Sequence, residues 1–94
     1  GMTMRTIVLD GGLMPDQETA HAYLARRLSF PDWYGRNLDA LYDLLTQPMA
    51  PTRLVLYRRP ELEAALGPYA RSLLAVLADA AGENPDLELC LDEE

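Results

Sequence analysis

Lysine is absent from this 94-residue chain: all eight basic residues are arginines, set against 15 aspartates and glutamates for a formal net charge of −7. A surface of that sign repels polyphosphate, so direct nucleic-acid binding is not expected and a basic protein is the favoured partner. Cysteine and histidine occur once each, as Cys90 and His21. That excludes an intrachain disulfide and a zinc constellation, and it points to a reducing compartment. No apolar run approaches the roughly 18 residues that suggest a membrane span. The start, GMTMRTIVLD, has no basic segment leading into an apolar one, so neither a signal peptide nor a membrane anchor is read and a cytoplasmic location is expected. Gly1, ahead of Met2, reads as a cloning remnant and is set aside. Cofactor motifs are missing too. Gly11-Gly12 follows a strand pattern, but no G-x-G-x-x-G and no Gly-Lys-Ser/Thr accompanies it, so it is read as a turn and no cofactor is expected.

What is present is a hydrophobic share of 49%, enough for one core in one domain spanning residues 1–94. A chain of this size hides only roughly 60 to 65% of its unfolded surface, which leaves little volume for an internal substrate cavity. Function is therefore expected on the outside. Residues 5–10 (RTIVLD) read as a buried strand stopped by Gly11-Gly12. Asp16 can cap a helix with Ala20, Tyr23, Leu24 and Leu28 on one stripe, ending near Ser29 because Phe30-Pro31 cannot continue it. A second helix opens at Asn37 and runs to about Thr46. Residues 53–57 (RLVLY) form a second buried strand, and Arg58-Arg59-Pro60 starts a short helix that Gly67-Pro68 ends. Residues 69–81 form a fourth helix, with Leu73, Val76, Leu77 and Ala80 inward and Gly82 as its stop. Residues 86–91 (DLELCL) alternate as a last strand, and Asp92-Glu93-Glu94 form a solvated acidic tail. Strands separated by helical crossovers imply a small α/β domain, a three-stranded parallel sheet packed with about four helices.

The densest chemistry lies in residues 30–46, FPDWYGRNLDALYDLLT, which hold the only Trp, two of the five Tyr and three carboxylates. Wound at about 100° per residue, the second helix puts Leu38, Leu41, Leu44 and Leu45 on one contiguous stripe. Tyr42, Thr46, Asp39 and Asp43 share the other side. Two acids one turn apart repel and cost a few tenths of a kcal/mol, on the order of what such pairs cost in isolated helices, so a partner outside the helix should compensate them. The plain reading is a solvated acidic face. Trp and Tyr beside those acids favour an interface instead, since rigid aromatics supply contact area while carboxylates accept forked hydrogen bonds from arginine.

This segment resembles the barstar family, intracellular inhibitors of barnase-type microbial ribonucleases, in which an aromatic pair, Gly, Asn and LDAL-aromatic-Asp follow a Pro. The resemblance covers about 17 contiguous residues, and the rest of the chain agrees in element order and length. It implies a three-stranded parallel sheet covered by helices, and a non-enzyme that binds a basic extracellular or toxin-type ribonuclease. It also implies roles for residues. Asp43 matches the acid that enters the phosphate-binding site, and Asp39 one that meets the guanine-recognition side. Trp33 matches an aromatic covering the catalytic histidine, with Tyr34 and Tyr42 as further anchors. Gly35 and Asn37 match the loop and helix start, and Thr46 a helix-end contact. Asp79 and Glu83 match flanking acids on the fourth helix. Tyr42 stands where the family usually has Trp, Trp33 stands where it has Tyr, and Pro48 takes a position that can hold another aromatic. The free chain is expected to be a monomer that protects the producing cell as an immunity protein.

Other candidates carry less. His21 has no nucleophile at helical spacing, so a packing or surface role is read rather than general base catalysis. Cys90 is expected as a buried, inert thiol, and Arg58-Arg59 as a solvated loop pair. Asp39 and Asp43 as glycosidase or metal carboxylates would have to converge across a cleft, whereas both project from one convex helix. The alternative class is an acidic interaction module that binds another basic protein without inhibiting a ribonuclease.

Overall fold

Alternation within the strands decides which side of the sheet the helices cover. The computed structural model describes residues 3–92. β1 (Arg5–Asp10), β2 (Thr52–Tyr57) and β3 (Leu87–Leu91) form one parallel sheet in the order β1-β2-β3. Register aligns Ile7 with Leu54 and Leu89, and Leu9 with Leu56 and Leu91. Ile7, Leu9, Leu54, Leu56 and Leu87 are buried, so these side chains point to one face. Parallel neighbours require crossovers. α1 (Gln17–Leu28) and α2 (Leu38–Leu45) make the first, and α3 (Arg59–Leu66) and α4 (Pro68–Glu83) the second. Leu24, Leu41, Leu45, Leu62, Leu73 and Leu77 from all four helices complete the core.

The opposite face of the sheet is open, so the two strands read as buried, residues 5–10 and 53–57, are covered on one side only. Val8 is 42% exposed, and Arg53 of β2 pairs with Glu88 of β3 at 3.4 Å across that face. Cys90 belongs to the same face and is half-buried rather than buried; its thiol lies 3.7 Å from the Glu88 carboxylate.

Helix ends follow their caps. Asp16 accepts from the Thr19 N–H at 2.7 Å and opens α1. Ser29, in the left-handed region at φ 56°, closes it. α4 departs from expectation at both ends. Pro68 itself occupies the first turn, where its missing N–H costs nothing. At the other end the helix runs through Gly82 to Glu83, and Asn84 is its C-cap. Gly82 does not stop the helix because Asn84 does, from a buried position that bonds neighbouring segments.

Arg58, read as half of a solvated loop pair, keeps a side chain that is 38% exposed but is bonded. Its Nε and Nη2 donate to Oδ1 and Oδ2 of Asp10 at 2.8 and 2.9 Å, a fork that ties together the ends of β1 and β2. That guanidinium holds the Asp10 carboxyl below the usual carboxylate range. The Gly11-Gly12 turn is the space this fork needs, since a Cβ on Gly11 or Gly12 would strike the Arg58 backbone or guanidinium. The acidic tail is tied at its first residue, because Asp92 N–H donates to the Leu56 carbonyl at 2.9 Å. Glu93, Glu94 and Gly1 lie outside the described residues.

Candidate partner-binding surface

Residues 29–37 link α1 to α2 and are fixed at several points. Phe30 N–H donates to Ala25 O and Tyr34 N–H to Pro31 O, while the Phe30 and Tyr34 rings sit 4.8 Å apart at 54°. Asn37 caps α2: its Oδ1 accepts from Ala40 N–H at 2.7 Å and its Nδ2 donates to Gly35 O at 3.3 Å. Gly35 has little room for a side chain, since a Cβ there would lie 3.2 Å from that of Ala40. Next to the anchored Tyr34, Trp33 is presented on a built loop and is 75% exposed.

α2 then divides by side. Leu41 and Leu45 are fully buried, and Leu38, Leu44 and Tyr42 pack partly against the core. Asp39 and Asp43 are exposed, and neither carboxylate has a hydrogen-bond or ion-pair partner among the described residues. Asp39 sits in the first turn, where the helix dipole favours an anion. Thr46 caps the other end, its hydroxyl donating to the carbonyls of Tyr42 and Asp43 at 2.8 and 3.2 Å. α2 packs against α4, whose Asp79 and Glu83 are also exposed. The two acid pairs thus belong to neighbouring helices. No group of three or more His, Cys, Asp or Glu among the described residues could hold a metal ion, and no helix there is long and apolar enough to cross a membrane.

Residues 4–91 match the family model described as Barstar (barnase inhibitor). The chain belongs to the barstar family. It is also 43% identical over 84 residues to "Putative ribonuclease inhibitor YrdF" of Bacillus subtilis (strain 168), an alignment covering 88% of this chain and 92% of that protein.

One residue read as a surface anchor is placed differently in this barstar-family chain. Tyr34 is only 6% exposed, so its ring offers a partner little contact area; it props the loop from beneath. Its hydroxyl lies 2.7 Å from Nδ1 of His21, and the Tyr69 hydroxyl lies 2.6 Å from Nε2. His21 therefore joins α1, the loop and α4 in one buried knot. A neutral imidazole has one donor and one acceptor nitrogen, so it gives a proton to one tyrosine and accepts one from the other. The 48-residue separation of His21 from Tyr69 hides this knot from the sequence; a polar residue on the inner stripe of α1 was the available signal.

The knot makes stability depend on pH in both directions. Burial holds the His21 pKa below its ordinary value, so the unfolded chain takes up the proton first, and stability is lost as pH falls below about 6.5. Burial, with Tyr69 alongside, pushes the Tyr34 phenol up to about 12. The unfolded phenol ionises near 10, so stability also falls as pH rises from about 10 towards 12, by about 2 kcal/mol. Urea unfolding across these ranges should show a shallower acid limb for His21→Gln and a shallower alkaline limb for Tyr34→Phe. Limbs with wild-type slopes in both variants would contradict the assignment.

Proposed function

We propose that this chain inhibits a barnase-type ribonuclease by seating the outer side of α2 in the enzyme's cationic active site. The observation that carries the reading is the pair Asp39 and Asp43, exposed and without a partner among the described residues, on a stiff, capped helix that follows the loop carrying the exposed Trp33. A ribonuclease site holds phosphate with cationic donors in fixed geometry. Carboxylates on a rigid helix offer it negative charge and acceptor oxygens with little conformational freedom left to lose on binding. Asp43 stands in for the phosphate, Asp39 pairs with adjacent basic groups, and Trp33 lies over the catalytic histidine. Tyr42 and Thr46 border the contact, Gly35 and Asn37 shape it, and Asp79 and Glu83 extend the negative field.

The same reading makes the chain a non-enzyme. The family membership and the inhibitor name carried by the B. subtilis relative support it. The partner is a basic extracellular or toxin-type ribonuclease, neutralised in the cytoplasm before export.

Titrating purified chain into barnase-type microbial ribonucleases tests the proposal. Activity of a cognate enzyme should fall linearly to zero at a 1:1 ratio, a stoichiometry expected of one helix filling one active site. Binding with activity retained would favour the interaction module. Association should also slow several-fold between about 0.1 and 1 M salt, as the Debye length shrinks from about 10 to 3 Å. A flat stopped-flow salt profile would contradict electrostatic steering by these acids.

A further inference from the structure

A cationic notch lies at the loop that leads into α2. Between the last turn of α1 and the loop leading to α2 is an open recess of about 230 Å3 with Arg26 and Arg36 on its sides, Asp32 at its rim, and Phe30, Pro31 and Tyr34 among its walls. Both arginines are exposed, and neither has an ion-pair or hydrogen-bond partner among the described residues. Arg27, next along α1, is different: its Nε and Nη2 donate to the Val8 carbonyl at 3.1 and 3.0 Å. Arg36 leaves the backbone from the left-handed region at φ 54°, between Gly35 and the helix cap Asn37. A bulky side chain in that conformation is uncommon. In an otherwise acidic interface, two guanidiniums without a partner among the described residues are placed where a bound protein would reach them, because five of the residues lining the recess, Arg36 among them, come from the loop that carries Trp33, and Arg26 from the end of the helix before it.

We infer that this notch receives an aspartate or glutamate side chain of the inhibited ribonuclease. The inference rests on the inhibitor reading above and deepens it: the contact is two-signed, with acids of α2 entering the enzyme and an acid of the enzyme entering the notch. Planar guanidinium forks match carboxylate geometry. Two arginines against Asp32 leave a charge near +1, which suits a monoanionic side chain better than a phosphate dianion. The chain's net charge of −7 further disfavours polyphosphate. Such a pairing selects among ribonucleases, since an enzyme without an acid at that place would leave the arginines uncompensated.

Charge reversal separates this pairing from general electrostatics by sign. Arg26→Glu and Arg36→Glu each make the inhibitor more acidic, so steering alone predicts faster and tighter binding to a basic enzyme. The notch predicts the opposite: affinity for the ribonuclease that the wild-type chain inhibits best should fall about tenfold or more in each variant, which is about 1.4 kcal/mol. Reversing one acid of that enzyme to arginine should restore it. Arg26→Glu lies within a regular helix, so it reads the notch even if Arg36→Glu disturbs the loop. Unchanged or tighter binding by the reversals overturns the inference, as does binding of inorganic phosphate at the notch, followed by NMR, with enzyme affinity indifferent to both variants. If the wild-type chain inhibits none of the ribonucleases tried, the inhibitor reading itself fails and the notch pairing with it; if it inhibits one and the reversals do not weaken it, only the pairing fails.

Discussion

Asp43→Ala should weaken binding to the inhibited ribonuclease by about 2 kcal/mol or more, roughly 30-fold, because it leaves buried cationic donors of the enzyme without an acceptor. The same change should barely alter the free chain. Asp43 is exposed and has no partner among the described residues, so its removal breaks no internal bond, and surface changes of this kind stay within about 0.5 kcal/mol. A slight gain in stability is the expected sign, since alanine relieves the repulsion with Asp39 one turn earlier. Asp79→Ala supplies the internal comparison: as an outer acid it should alter the association rate and cost less than about 1 kcal/mol. Titration calorimetry and thermal melting on the two variants read both quantities. Equal, small losses of affinity would remove Asp43 from the centre of the contact and leave only a diffuse acidic field.

The parts of this architecture legible in the sequence are those set by local rules. Asp16 and Asn37 cap helices through bonds three residues away, and the leucine stripe of α2 follows from helical period alone. The parallel pairing of the three strands follows from helices alternating with strands. What was hidden depends on contacts between distant residues. Tyr34 and Trp33 are adjacent and both aromatic, yet one is 6% and the other 75% exposed; the inward ring is the one that meets Phe30 and the hydrogen bond of His21, 13 residues earlier. Arg58 looks like one half of a solvated pair until the register of β1 on β2 sets Asp10 beside Tyr57 and brings its carboxylate within reach. Gly82 has the composition of a helix stop, but a residue two positions later has better bonds to make. In each case a local preference of a few tenths to about 1 kcal/mol yields to a buried or part-buried hydrogen bond between distant residues, whose loss would cost about as much or more.

Asn84 shows how large that tertiary effect becomes, and its replacement should produce the greatest stability change of any single polar substitution proposed for this chain. The residue is 4% exposed. Its Nδ2 donates to the carbonyls of Leu45 and Gln47 at 2.8 and 2.9 Å, and its Oδ1 accepts from Asp86 N–H at 3.0 Å. Leu45 ends α2, so its carbonyl is one that no intrahelical N–H can reach; a side chain from the end of α4 supplies the missing donor. One amide thus caps α2, fixes the turn after it and starts the approach to β3. Asn84→Ala leaves three backbone groups without their partner in a site that is largely shielded from water, a cost of about 2 to 4 kcal/mol. For a domain of this size that lowers the melting temperature by about 10 to 20 °C. Asn84→Asp separates hydrogen bonding from volume, since it keeps the shape but faces two carbonyls with an oxygen that cannot donate. It should destabilise at least as much as alanine at neutral pH, and part of the loss should be recovered at acid pH, where a protonated carboxyl can donate to one carbonyl. If aspartate were instead tolerated at neutral pH, the two carbonyls must already be hydrated in the native chain, and α2 would owe its position to its leucines alone.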